Sequence, residues 1–347
     1  MPRHITKTSF GILKYSIVLA NTKEFGGIIH SEIFLVTKLL GLKFFGSTTS
    51  EFTFVNILNS SATLASYPYE DKPYEILSPL ICFDSKGEIF YSNGDAHYLT
   101  CVRSALKPFQ ASASVKAGAV KHFNFSSKEI ALMCASHNGE EVHVNTANEM
   151  LKKVGYDLSY YECGAHSPYD KNSKKTLLYN NEKPNPLHNN CSGKHAGMLS
   201  LAKYLKEDPK GYTDENHAVQ KQILEQVKRF SELEEFPIAI DGCSAPVPFL
   251  PLYNLALMYQ KLASTDYDEL NILYDAVISN PYQIAGKDRF DTDFIQAMNG
   301  NAITKVGGEG VRGVGVRTSQ GDVYGIALKI IDGNQRCNPA AILAVLN

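Results

Sequence analysis

The chain has 347 residues, of which 44% are hydrophobic and 20% charged, and its formal net charge is −2. Such a length and composition are typical of a globular protein with a sizeable buried core. The small net charge and the lack of a basic stripe argue against a nucleic-acid partner, and no apolar run is long enough to predict a membrane span. The seven cysteines are odd in number and widely spread, which favours reduced thiols and a cytoplasmic protein over a disulfide framework.

The first 75 residues differ from the rest, because they are rich in Ser, Thr, Phe and Leu and show no hydrophobic period. We expect residues 1–75 to form an atypical, poorly ordered N-terminal segment. From Ile76 the pattern sharpens. Two apolar runs flank Asp84-Ser-Lys-Gly87 and predict a β-hairpin. A second hairpin is predicted near the other end, with strands at 311–317 and 323–331.

Helical patterns fill the region between the two hairpins. The predicted helices span residues 105–120, 129–136, 146–154, 196–205, 217–230, 252–262 and 267–279, and another begins at 340. Residues 236–240 form a short predicted strand, and residues 164–190, rich in Pro, Asn, Ser and Lys, a predicted loop. Strands at both ends with helices between them predict a mixed α/β (α+β) fold, in which the terminal strands join one central sheet flanked by helices.

The first candidate catalytic pair is Ser104 and Lys107, within Arg103-Ser-Ala-Leu-Lys-Pro-Phe-Gln110. Positions i and i+3 share a helix face, so the lysine amine can take the proton of the serine hydroxyl. Pro108 is tolerated only in a first turn, which places the helix start close to Ser104. The pattern alone is weak, and an ordinary serine and lysine on a helix surface remain the commoner interpretation.

Two further patterns follow in chain order. Ser136 and Asn138 form Ser-x-Asn within Cys134-Ala-Ser-His-Asn-Gly139, and Lys305 begins Lys-x-Gly before the terminal hairpin. Penicillin-recognising serine enzymes carry Ser-x-x-Lys, Ser-x-Asn and Lys-Thr-Gly in this order. A second cation such as Lys305 would lower the pKa of Lys107, and Ser136 with Lys305 could relay a proton to the leaving group. Taken alone, Ser136 could equally be a turn serine.

The cysteines offer a candidate metal site. Cys191 precedes a predicted helix and Cys243 follows a predicted strand, and two thiolates with one more ligand suit a zinc-type ion. The usual third ligand would be His195 or Asp241. Spacing alone does not favour a metal, since Cys-x-x-Cys and His-x-x-x-His are missing, and both cysteines could simply be small buried residues.

Several other side chains are candidate substrate contacts or structural groups. His137 and His195 lie in or beside these motifs and could bind substrate or orient other groups. Arg103 could hold a carboxylate in a bidentate manner, and Asp241 could accept from an amine. Asp291 could simply cap the helix that follows it.

Six ordered blocks together resemble the L-asparaginase II family. They are Arg103–Gln110, Cys134–Gly139, His188-Asn-Asn-Cys-Ser-Gly-Lys-His-Ala-Gly-Met198, Asp241–Ser244, Ala285–Asp288 and Lys305–Gly310. The Cys-Ser-Gly-Lys-His block is the most specific of them. The resemblance covers about residues 76 to 335.

The resemblance implies a serine-β-lactamase-like and glutaminase-like fold, a homodimer, and hydrolysis of L-asparagine to L-aspartate and ammonia. It implies two Ser–Lys tandems, Ser104 with Lys107 and Ser136 with Lys305. The substrate-binding residues predicted from the motifs and their side-chain chemistry are Arg103, His137, Asn138, His195 and Asp241. Finally, the resemblance implies a zinc ion bound by Cys191, Lys194 and Cys243, with Lys194 rather than His195 as the third ligand.

The domain prediction follows from these blocks. Residues 76–347 are expected to form the catalytic domain, with a C-terminal end that is shorter than usual for the family. Two alternatives remain open: a related acyl hydrolase, either a glutaminase or a penicillin-binding type of enzyme, and an inactive, zinc-binding homologue.

Overall fold

The computed structural model describes residues 79–346, so the predicted segment 1–75 lies outside the described residues. The strands are β1 (Leu80–Phe83), β2 (Ile89–Asn93), β3 (Leu99–Cys101), β4 (Ile238–Ile240), β5 (Pro246–Pro251), β6 (Ala302–Val306), β7 (Val311–Arg317) and β8 (Val323–Lys329). Five of them form an antiparallel sheet in the order β2-β1-β8-β7-β6. The predicted N-terminal and C-terminal hairpins therefore join in one sheet, which confirms the mixed α+β prediction.

The helices are α1 (Lys107–Ala117), α2 (Ala119–His122), α3 (Ser127–Met133), α4 (Glu141–Val154), α5 (Lys171–Tyr179), α6 (Ser192–Leu205), α7 (Ala218–Ser231), α8 (Leu252–Ala263), α9 (Asp268–Ser279), α10 (Pro281–Ala285), α11 (Phe290–Ala297) and α12 (Asn338–Val345). Short 3₁₀ turns lie at Arg103–Leu106, Leu158–Tyr160, Pro186–His188 and Gln335–Cys337. Within residues 79–346, each helix is too short or too polar to span a bilayer.

Helix α1 forms the centre of the helical layer. Its first eight residues are all buried, and Phe109 packs against Phe230 of α7 and Tyr259 of α8. Pro108 lies in the first turn as predicted, and Gly118 ends the helix in the left-handed conformation at φ 95°. Burying the start of a helix costs free energy unless its polar groups find hydrogen-bond partners. Because α1 begins with the buried Lys107, the amine of this side chain needs such partners.

The region 164–190 differs from the prediction of a continuous loop. Residues Lys171–Tyr179 form α5, and Asp170 caps it by accepting a hydrogen bond from the Ser173 N–H. Only Leu177 of this helix is buried, so the hydrophobic period that would have indicated a helix is weak. Capping chemistry, rather than amphipathicity, marks this element.

Strand β5 was also not predicted, because its sequence Pro-Val-Pro-Phe-Leu-Pro contains three prolines. It nevertheless lies between β3 and β4 in a small second sheet. The Pro248 carbonyl accepts from the Val102 N–H at 3.3 Å, and the Phe249 N–H donates to the Pro237 carbonyl at 2.8 Å. Since the residues between the prolines supply the donors, the ladder forms without the missing proline N–H groups.

Candidate active site

Two buried lysines converge on one serine hydroxyl. Lys107 is the first residue of α1, Ser136 lies in the segment after α3, and Lys305 lies on β6. The Ser136 Oγ is 3.0 Å from the Lys107 Nζ and 2.9 Å from the Lys305 Nζ. All three side chains are at most 4% exposed. The sequence hypothesis proposed two separate Ser–Lys pairs, whereas in the structure both amines share Ser136.

Ser104 lies at the edge of this buried network. It belongs to the 3₁₀ turn before α1, and its carbonyl accepts the hydrogen bond of the Lys107 N–H. Ser104 is half-buried, and its hydroxyl has no hydrogen-bond partner within residues 79–346. The Lys107 Nζ donates to the Ser136 hydroxyl and to the carbonyls of Ala135 and Asn190. Of the two candidate serines, Ser104 is therefore the more exposed.

A glycine allows the strand that carries Lys305 to continue past the Ser104 turn. A Cβ on Gly307 would lie 2.6 Å from the Val102 carbonyl oxygen and 3.3 Å from the Ala105 nitrogen. Because real Cβ atoms do not approach backbone so closely, only glycine fits between the two segments. The Lys-x-Gly pattern therefore has a steric reason.

Asn138 fixes the segment that contains Ser136. Its side-chain amide donates to the Lys287 carbonyl at 2.9 Å and its Oδ1 accepts from the Arg289 guanidinium at 2.6 Å. The backbone N–H groups of Ser136 and Asn138 donate to the carbonyls at the end of α10. The polar groups of Asn138 are thus used within the protein, and the side chain positions Ser136.

A buried ion pair lies behind Lys305. The Asp291 Oδ1 is 2.5 Å from the Arg312 Nη1, and its Oδ2 accepts from the Val306 N–H at 3.0 Å. The same Oδ2 is 3.8 Å from the Lys305 Nζ. The interpretation that Asp291 caps a helix is wrong, since Asp291 lies inside α11, whose N-cap is Arg289, and it is only 2% exposed.

Burial lowers the pKa of Lys305 to about 7. Asp291 opposes this shift by favouring the ammonium, while the positive charges of Lys107, Arg289 and Arg312 add to it. A substantial fraction of this amine is therefore neutral near pH 7 and can accept a proton from Ser136.

His137 ties the Ser136 segment to α6. Its Nδ1 accepts from the Gly139 N–H at 3.1 Å, so its Nε2 carries the proton and donates to the Ser192 Oγ at 2.9 Å. Its ring stacks on His143 with centroids 4.9 Å apart. Burial holds the pKa of His137 well below its usual value. The neutral ring is fully enclosed and links Ser136 to the start of the helix that carries Lys194.

Arg103 is held by two acidic side chains. It lies in the left-handed region at φ 48°, and its guanidinium is 2.8 Å from both the Asp241 and the Glu309 carboxylate. Asp241 is also bonded by the Gly242 N–H at 2.8 Å. The structure thus brings Arg103 and Asp241 together next to Ser104, with Glu309 from the loop after β6 as a further partner.

The two cysteines and Lys194 meet at the start of α6. The Lys194 Nζ donates to the Cys243 Sγ at 3.0 Å, and all three residues are at most 4% exposed. Hydrogen bonding from Cys191, together with Lys194, lowers the pKa of Cys243 strongly. Burial opposes the charge on Lys194, but the sulfurs of Cys243 and Cys191 raise its pKa. Both shifts favour a Cys243 thiolate next to a Lys194 ammonium.

This donor set fits a zinc ion chemically, because it offers two cysteine sulfurs and one amine nitrogen, which bind a metal in their deprotonated forms. Among the residues that the structure describes, no three His, Cys, Asp or Glu side chains are grouped for a metal. His195 and Asp241, the alternatives considered from spacing, therefore do not complete a three-donor set with the cysteines. His195 is fully buried, and its Nδ1 is 2.7 Å from the Tyr212 hydroxyl.

The sequence hypothesis missed Arg312, Glu309 and the role of Asp291. Asp291 and Glu309 lie within or directly after motif blocks, which is a weak signal. Arg312 alternates with glycine and valine on β7, and nothing in that pattern indicates that its guanidinium reaches Asp291.

The described fold and site can be compared with known proteins. A search of the curated proteins finds no match. The sequence model of a protein family, L-asparaginase II, matches residues 78–347. This range contains every strand and helix described above, together with Ser104, Lys107, Ser136 and Lys305. Because the match covers most of the chain, the protein belongs to the L-asparaginase II family.

Proposed function

We propose that the protein hydrolyses L-asparagine to L-aspartate and ammonia through a serine acyl-enzyme. Membership of the L-asparaginase II family supports an amide substrate. The observation that carries the proposal is the Ser136 hydroxyl, held at 3.0 and 2.9 Å from two buried lysine amines beside the half-buried Ser104. Serine nucleophiles need a nearby base, and a neutral lysine amine can act as one.

Ser104 is the proposed nucleophile, because it is the more exposed of the two candidate serines. Lys107 takes its proton as Ser104 attacks the side-chain amide carbon. Ser136 then passes a proton between Lys107 and Lys305, since it is within hydrogen-bonding distance of both. Backbone N–H groups near the start of α1 hold the oxyanion that develops on the carbonyl oxygen.

The same relay returns the proton to the leaving group. Lys305 and Ser136 protonate the departing ammonia as the carbon–nitrogen bond breaks, which leaves a β-aspartyl ester on Ser104. Water then attacks this ester with the relay acting as base, and aspartate leaves with its new carboxylate. Arg103, His137, Asn138, His195 and Asp241 remain proposed to shape the substrate site, and the contacts above favour an orienting role for His137 and Asn138.

The zinc ion remains part of the proposal, held by Cys191, Lys194 and Cys243. When bound, it would supply a Lewis acid that polarises a substrate oxygen next to the site. The serine-β-lactamase-like and glutaminase-like fold and the homodimer are likewise proposed from the family resemblance. The cytoplasmic location is proposed from the odd number and wide spread of the cysteines.

Ammonia release from L-asparagine by the wild type and by Ser104→Ala tests the proposal. We expect turnover in the wild type and loss of at least about a thousandfold in Ser104→Ala. Ser114→Ala is the matched control, because Ser114 is a buried serine on α1 that only bonds the Gly197 carbonyl at 2.9 Å. Full activity in Ser104→Ala would refute the nucleophile assignment. L-glutamine and a β-lactam, offered in parallel, separate the alternative acyl hydrolases, and bound zinc without any turnover would indicate an inactive homologue.

A further inference from the structure

Both oxygens of the buried Asp291 carboxylate behind Lys305 accept hydrogen bonds from groups other than the Lys305 amine. The Asp291 Oδ1 is 2.5 Å from the Arg312 Nη1, and the Oδ2 accepts from the Val306 N–H at 3.0 Å. The Lys305 Nζ lies 3.8 Å from the Oδ2, which is too far for a hydrogen bond. Its own bonds go to the Ser136 hydroxyl at 2.9 Å and the Val306 carbonyl at 2.8 Å.

Two further contacts hold the Arg312 guanidinium in place. The same Nη1 also donates to the Thr304 hydroxyl at 2.9 Å, and the guanidinium lies over the Phe290 ring, 4.6 Å from its centroid. Arg312 and Asp291 are 3% and 2% exposed. Thr304 and Phe290 therefore hold the Arg312 guanidinium in its position against Asp291.

We propose that Asp291 and Arg312 form a positioning pair for Lys305, in which Arg312 holds the Asp291 carboxylate back from the amine so that Lys305 can exchange a proton with Ser136. Without Arg312, the freed carboxylate would bind the amine directly as a buried salt bridge and keep it an ammonium. Without Asp291, the amine would have only cations as its charged neighbours. The inference rests on the proposed function only in assigning Lys305 to the relay.

The charged groups around Lys305 act on its pKa in opposite directions. Besides Asp291 and Arg312, the charged neighbours are Lys107 from the start of α1 and Arg289 from the residue before α11. Cys134, whose own pKa is raised by burial, also lies near both lysines. The negative charge of Asp291 thus offsets three positive charges around the Lys305 amine. Its effect on the pKa of Lys305 depends on how much of that negative charge Arg312 neutralises.

The direct test is the titration of Lys305 itself. Lysines labelled with carbon-13 at Cε would be followed by NMR as a function of pH, with Lys305→Arg used to assign the signal. We expect the midpoint to rise by about one pH unit or more in Arg312→Met and to fall by a similar amount in Asp291→Asn. Arg317→Met is the matched control, because Arg317 lies on the same strand but donates to the Ala263 carbonyl and is not among the charges acting on Lys305.

Each single variant leaves a buried charge unpaired and could fail to fold. The double variant Asp291→Asn with Arg312→Met removes both charges and should fold, with a midpoint between those of the single variants. Midpoints that stay at the wild-type value in the folded variants would overturn the inference. If the wild type released no ammonia while the midpoints moved as stated, the proposed function would fail and the positioning pair would stand. Turnover with unmoved midpoints would leave the proposed function standing and overturn the positioning pair.

Discussion

Replacing Ser136 with alanine removes the one atom that joins the two lysine amines. The Ser136 Oγ accounts for the 3.0 Å and 2.9 Å contacts, and the Lys107 and Lys305 amines then keep only backbone carbonyl partners among the hydrogen bonds described. Losing a positioned proton-transfer group typically lowers rates by about 10² to 10⁴, equivalent to roughly 3 to 5 kcal/mol of transition-state stabilisation. We expect Ser136→Ala to lower kcat/KM for asparagine by this factor.

The assay is steady-state ammonia release, with urea unfolding measured in parallel. Hydrogen bonds to charged groups contribute about 1.5 to 3 kcal/mol, so a modest loss of stability accompanies the rate effect. Ser114→Ala, which loses a buried hydrogen bond to the Gly197 carbonyl, should lose stability only. A folded Ser136→Ala enzyme within about tenfold of wild-type kcat/KM would refute the relay.

Three further predictions follow from the site and its support. Because the Ser136 relay passes the proton on to the neutral Lys305 amine, whose pKa is about 7, kcat/KM should fall about tenfold per pH unit below that value, and a profile flat from about pH 6 to about pH 9 would contradict this role of Lys305. Gly193→Ala would place a Cβ 2.2 Å from the Leu132 carbonyl oxygen, so it should lower the free energy of unfolding by about 1 to 3 kcal/mol in urea titrations. Gly242→Ala, which has open space, should not. Metal analysis of purified protein should find about one zinc per chain, lost in Cys243→Ser and kept in Cys337→Ser, and equal zinc in both variants would contradict the ligand set.

The elements that the sequence predicted well carry local signals. The first hairpin has its turn at Asp84, whose side chain accepts from the Lys86 and Glu88 N–H groups, and Gly87 takes φ 75° there. Helix α4 ends at Gly155 in the left-handed conformation, as expected of a glycine after a helical pattern. Such features depend on neighbours in sequence, so a single chain reveals them.

The elements that the sequence did not predict depend on distant partners. Strand β5 exists because β3 and β4 supply donors and acceptors on both sides of a proline-rich segment. The hydrogen bond between the Lys107 amine and the Ser136 hydroxyl depends on how α1 packs against the segment after α3. A spacing of three residues puts Lys107 and Ser104 on one face, but it does not decide which serine the amine contacts.

The buried charges behind the site show the same limit. Asp291 looks like a helix cap in sequence, since it precedes a helical run in a glycine-led loop. The partner that gives it another role, Arg312, lies on a different element, and the contact forms only when α11 packs against β6 and β7. Motif residues could be found from order and spacing, whereas the charges that tune them required the fold.

The residue that carries the acyl group during turnover decides whether Ser104 is the nucleophile. The enzyme would be quenched with acid during turnover of asparagine, and its peptides would be mapped by mass spectrometry. We expect a β-aspartyl adduct on the peptide that contains Ser104, absent in Ser104→Ala and still formed, more slowly, in Ser136→Ala. An adduct on Ser136, or an adduct that persists in Ser104→Ala, would show that Ser104 is not the nucleophile.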